Sequence, residues 1–151
     1  DGKAKFWSHD LFDLYNCVAI QVGLTDIYLY KWRFNKFWRY RNIGTSKLTH
    51  NRRMRPLWDR NSTSLACVNE AYIYMTGGFN GDGSRTRNAE YYNIKLDIWV
   101  ETARLSSERV EHSSCVLGTI VYVFGGQTLH SQYLNNIETL DSEADVRGEQ
   151  P

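Results

Sequence analysis

The chain has 151 residues, an ordinary length for one domain, and its 42% hydrophobic and 23% charged content excludes a disordered polymer. No apolar run approaches the roughly 18 residues that mark a membrane helix, and the first 20 residues hold no signal-peptide core. The net charge of +1 hides two poles: residues 31–60 carry ten Lys or Arg against Asp59 alone, whereas residues 101–151 carry three Arg and eight carboxylates. Such poles bear on partners and not on fold.

Aromatic residues make up 14% of the chain, with ten Tyr and five Trp, while Pro occurs only twice. That mixture favours half-buried strands, so the expected class is all-β. In chain order, a first strand is predicted over 15–22 and further strands over 27–30 and around Phe37 and Trp38. Between them, alternation in 31–41 places Trp32 and Phe34 on one strand face and Lys31 and Arg33 on the other. Beyond a turn at Asn35-Lys36, Trp38 and Tyr40 oppose Arg39 and Arg41. The stretch from 39 to 59 reads as a basic insertion containing Lys47, Arg52, Arg53 and Arg55. Strands then follow at 64–68, 72–76 and 89–93, and a fourth around Trp99.

An internal repeat is the main signal. Laying Ala71 on Thr119 superposes 71–78, ending in Gly77-Gly78, on 119–126, ending in Gly125-Gly126. The same shift places Cys67 on Cys115 and Ala89-Glu90 on Ile137-Glu138. Arg60 falls on Arg109 with one residue of slippage. Cys17, Cys67 and Cys115 follow one another at nearly equal intervals and read as one structural position visited three times. With an odd count and no C-x-x-C, neither a disulfide framework nor a zinc site is expected. Four strands in about 48 residues is the size of one propeller blade.

The pattern of an apolar strand ending in Gly77-Gly78, Tyr91 or Tyr92 in the third strand, Trp99 in the fourth, Arg109 before the next unit, then Tyr122 and Gly125-Gly126, resembles the kelch repeat. The resemblance implies an incomplete β-propeller of about three four-stranded blades. Residues 1–59 would be a degenerate or partial blade, 60–108 a kelch blade, and 109–151 a second kelch blade with an acidic tail, its fourth strand unassigned for want of a Trp after Asp141. In the first unit the glycine pair is missing, and aligning 27–30 and Trp38 with 89–91 and Trp99 makes them third and fourth strands. Because the interval from Trp38 to Arg60 is about twice that from Trp99 to Arg109, an insertion of about a dozen positions is implied.

No catalytic constellation emerges. His9, His50, His112 and His130 are scattered singly, and the glycine-rich stretch 77–83 lacks the lysine and helix of a phosphate loop. No cofactor is expected. Asn61-Ser62-Thr63 matches a glycosylation acceptor and reads as chance. The expected role is a non-enzymatic protein-interaction module, a cytoplasmic, cytoskeleton-associated scaffold or subunit of a larger assembly, with acidic proteins as partners and another subunit completing or covering the ring. Arg39, Arg41, Lys47, Arg52, Arg53, Arg55, Arg85 and Arg87 are the candidate contact residues. By resemblance, the loops 79–88, 47–59, 105–111 and 127–135 would share one face. The alternatives are part of a propeller enzyme of galactose-oxidase type, with copper, or nucleic-acid binding through 31–60.

Overall fold

Short apolar runs separated by left-handed turn residues make this chain a series of hairpins. Gly23, the pair Asn69 and Glu70, and Gly118 all take positive φ where a first strand turns into a second. The computed structural model describes residues 17–43, 45–50, 54–129 and 132–147. In chain order these form β1 (Cys17–Val22), β2 (Asp26–Lys31), a 3₁₀ turn (Trp32–Phe34), β3 (Lys36–Ile43), β4 (Thr45–His50), β5 (Arg60–Asn61), β6 (Ser64–Val68) and β7 (Tyr72–Thr76). They continue as β8 (Phe79–Asn80), β9 (Ala89–Asn93), β10 (Ile98–Glu101), β11 (Ser113–Leu117), β12 (Ile120–Phe124), β13 (Ile137–Asp141) and a six-residue helix, α1 (Ser142–Arg147).

All pairing between these strands is antiparallel. The first sheet has the order β1-β2-β3-β4, the second β6-β7-β9-β10 and the third β11-β12-β13, while β5 and β8 form a small ribbon. β1 lies beside β6 and β6 beside β11, so the first strands sit side by side and the sheets stack like blades of an incomplete propeller. The strands at 64–68, 72–76 and 89–93 lie where the sequence predicts them.

Two cores fill the gaps between sheets. Val22, Tyr28, Tyr30 and Phe37 of the first sheet meet Leu65, Ile73, Met75 and Tyr92 of the second, with Trp99 packed alongside. Phe37 lies 5.2 Å from Trp99 and 4.9 Å from Tyr30, ring centre to ring centre. The other core joins Ala66, Val68, Tyr74, Ala89 and Tyr91 of the second sheet to Val121, Val123 and Leu140 of the third, with Leu105 between. Burying each large side chain is worth about 1.5–3 kcal/mol, so the stacking of sheets holds the fold.

Three sequence expectations change. β2 is the second strand of its sheet and β3 the third, not the third and fourth. The second strand there ends without a glycine pair to mark it, so in sequence Trp38 of β3 resembles Trp99 of a fourth strand. In place of an insertion, residues 39–43 continue β3 and 45–50 form β4. The cysteines also do not share one position. The turn between β6 and β7 has three residues, with Val68 opposite Tyr72, but that between β11 and β12 has two, with Leu117 opposite Ile120. Val68 therefore corresponds to Leu117 and Cys115 to Ala66, and this one-residue slip upstream of the turn reverses side-chain direction. Cys67 packs against the first core, whereas Cys115 is exposed on the opposite face of its sheet.

After β13 the chain enters α1 instead of a fourth strand. Ser142 donates from its backbone and hydroxyl to the Thr119 carbonyl, and Asp145 accepts a 3.1 Å hydrogen bond from the Tyr74 hydroxyl.

Candidate functional site

The loops that join second to third strands and one sheet to the next gather at one end of the stack. The feature that anchors them is a pair of buried arginines. Arg60 donates to the carbonyls of Gly77 (2.9 Å) and Asn88 (2.8 Å) and forms a 2.6 Å ion pair with Glu90, both side chains fully buried. Arg109 repeats the arrangement, donating to the Gly125 carbonyl, to Asn136 Oδ1 and to the Glu138 carboxylate. Each carboxylate also accepts backbone amides of the loop preceding its arginine: Leu57 at Glu90, and Ser106 and Ser107 at Glu138. Every clamp thus ties an inter-sheet loop to the second and third strands of the sheet that follows it.

Burial pushes the Glu90 carboxyl above the usual carboxylate range, against the opposing pull of Arg60 and the Leu57 and Trp58 amides. At Glu138 burial also acts upward, but it is slighter; Ser106 and Arg109 outweigh it and hold the carboxyl below the usual range. His112, buried beside Arg109, shares a 2.9 Å hydrogen bond with the Thr76 hydroxyl. Burial first, and the Arg109 charge second, depress its pKa from 6.5 to about 4.

The glycine pairs are required here by close approach. A Cβ on Gly77 would stand 2.4 Å from the Arg109 carbonyl, and one on Gly126 2.5 Å from that of Val110, both at positive φ. The space is used for lacing: Gly78 N–H donates to the Arg109 carbonyl at 2.8 Å, Thr86 N–H to Gly78, Leu105 N–H to Arg87, and Val110 and Gln127 exchange backbone bonds. β5 pairs with β8, and Glu111 N–H reaches the Ser62 carbonyl. Segments 60–62, 78–87, 105–111 and 127 are thereby brought into one laced surface. A cavity of about 210 Å³ opens beside it, lined by Cys17, Val18, Tyr30, Trp32, Asn61, Ser62 and Thr63.

The candidate contact residues divide between the two ends. Arg55 and Arg87 are exposed at the loop end, and Arg85 is half-buried there with its guanidinium 5.2 Å above the Phe79 ring. Arg39 and Arg41 lie toward the other end. Both donate through Nε and a terminal nitrogen to the largely buried Asp26 carboxylate, with the Nε distances at 2.7 and 2.8 Å. Lys47 belongs to β4, opposite Arg41 in register, and Arg52 and Arg53 lie outside the described residues. Of the repeat residues, Tyr91 is buried in the second core, Trp99 packs on the first, and Tyr122 is half-buried on the outer face of the third sheet. The sequence pattern alone does not single out the clamp carboxylates Glu90 and Glu138, although the shift that reveals the repeat superposes them. Among the described residues no group of three His, Cys, Asp or Glu side chains is arranged to hold a metal ion, and no helix is long and apolar enough to cross a membrane.

Comparison with known proteins accounts for this architecture. The Kelch motif matches residues 60–106 and 108–146. Over 74 residues, 48% of the chain, the sequence is 30% identical to Kelch-like protein 36 of Rattus norvegicus. Over 85 residues, 55% of the chain, it is 31% identical to Kelch repeat and BTB domain-containing protein 2 of Horsepox virus. A third similarity, 40% over 57 residues, is to Kelch-like protein 21 of Danio rerio. These matches span only 12%, 15% and 9% of the relatives' own lengths. With two motif matches over sheets joined by the same arginine clamp, the chain belongs to the kelch-repeat family.

Proposed function

We propose that this chain is a non-enzymatic protein-interaction module, a cytoplasmic scaffold or subunit of a larger assembly, whose laced loop end docks an acidic protein surface. The observation that carries the reading is the backbone lacing of loops from successive sheets over two buried arginine clamps. Loops fixed by a rigid scaffold are where recognition resides, because their side chains lose little further freedom on binding. Arg55 and Arg87 are exposed on loops of that end and Arg85 lies half-buried over Phe79, cations suited to carboxylates. Arg39 and Arg41 lie toward the other end, where both contact Asp26, and are not part of this set.

Reversing Arg55, Arg85 and Arg87 to Glu tests the reading. Wild type and triple variant are compared in affinity capture at low and high salt, with the retained proteins identified by mass spectrometry. The expected result is a set of acidic proteins held by the wild type at low salt and lost from the variant. An identical retained set would sink the placement of the site.

A further inference from the structure

The walls of the cavity beside the laced loops restrict what can enter it. Val18, Tyr30 and Trp32 come from the first sheet and its 3₁₀ turn, and Asn61, Ser62 and Thr63 from the segment that leads into the second sheet. No charged side chain is among the described lining residues, so an ionised group would lose its water there with no opposite charge to offset the cost. The volume of about 210 Å³ exceeds the roughly 150 Å³ that holds a benzene molecule, so a phenol or indole ring fits. Tyr30 and Trp32 offer that ring aromatic contacts. Thr63 is only 9% exposed, and its hydroxyl has no hydrogen-bond partner among the described residues. A buried hydroxyl left unpaired is costly, and a phenol or indole carries the one polar hydrogen that such a wall can use.

Strand register places a cation near this cavity. Asn61 pairs with Phe79 in the β5–β8 ribbon, and Phe79 in turn bridges to Arg85. Neighbouring strands lie about 4.8 Å apart, so two steps set the Arg85 backbone roughly 10 Å from the Asn61 wall. The Arg85 guanidinium lies over the Phe79 ring and, among the described residues, pairs with no carboxylate. An extended peptide advances about 3.3 Å per residue, so it covers that interval in about three residues.

We propose that this cavity is an anchor pocket for one uncharged aromatic side chain of an acidic partner segment, whose carboxylate, about three residues along, meets Arg85. The proposal rests on the reading of the loop end as a docking surface for acidic proteins and names the segment that surface takes.

Indole titrated into the ¹⁵N-labelled protein tests the pocket. It should shift the amides of Cys17, Val18, Asn61 and Thr63 saturably, with a dissociation constant on the order of 1 mM. Val18→Phe, which fills the cavity, should abolish those shifts; should that variant lose its β spectrum, Asn61→Phe replaces it. Shifts that do not saturate, or that persist in the filled variant, overturn the pocket. A blocked tetrapeptide tests the link to Arg85, with tryptophan first, two alanines, and aspartate last or asparagine in its place. The aspartate form should bind roughly tenfold tighter, and Arg85→Gln should remove that difference while leaving indole binding unchanged. Equal affinity for the two peptides, or a difference that survives Arg85→Gln, overturns the link. Acidic proteins retained through Arg55, Arg85 and Arg87 without indole binding would defeat this proposal alone. Indole binding with a retained set unchanged by the triple reversal would defeat the loop-end reading instead.

Discussion

Tyr74 of the second sheet and Tyr122 of the third occupy the same place in their sheets, each the third member of a second strand, yet the first is fully buried and the second only half. Ala89 and Ile137, each opening a third strand, differ more: 0% against 58% exposed. The side chains inside each sheet do not cause this difference. Among the described residues the second sheet has a neighbouring sheet on both faces and the third on one, so burial, and with it stability, is a property of the junctions between repeats. The clamps differ in the same direction, since the Arg60–Glu90 pair is sealed while Glu138 keeps some contact with water.

The largest effect that separates the sheets is expected at the clamps. Arg60→Met strands a buried carboxylate and should cost about 3–5 kcal/mol in urea unfolding. Arg109→Met should cost less, because water reaches Glu138; equal losses would break the comparison. Next comes apolar packing: Ile73→Ala, in the first core, should cost about 2–5 kcal/mol, and Ile137→Ala, at a position 58% exposed, roughly 0.5 kcal/mol or less.

A third effect is tied to pH. His112 has a folded pKa of about 4 against 6.5 when unfolded, so between those values the unfolded chain binds a proton that the folded chain excludes. Stability is full above pH 6.5 and falls as pH drops toward 4, by at most about 3 kcal/mol. His112→Gln should flatten that part of the profile, and an unchanged slope would assign the acid sensitivity to other groups.

Much of the second sheet is legible in the sequence because alternation, Asn69-Glu70 and Gly77-Gly78 mark both ends of its strands. The first sheet lacks those marks: Lys31 and Trp32 stand where the glycine pair would be, and the aromatic and cationic alternation from 36 to 41 conceals that Arg39 and Arg41 converge on Asp26. Nothing local signals that carboxylate, 13 and 15 residues away. The cysteine positions misled for a different reason. One residue fewer in a turn moves Cys115 to the opposite face, and only the pairing register reveals it. The clamps were within reach, since Arg60 recurs as Arg109 and Glu90 as Glu138 at spacings that agree to within one position; what the sequence hides is that residues 30 apart form one ion pair.

Hydrogen exchange at the loop end tests the central claim, that buried arginine clamps hold these loops as a fixed surface. The amides of Gly78 and Val110, each bonded to a carbonyl of another loop segment, and that of Thr86, bonded across its own loop to Gly78, should exchange as slowly as those of β7 and should speed up in Arg109→Met before the strands do. Exchange of these amides at the rate of an open loop in the wild type would contradict the account.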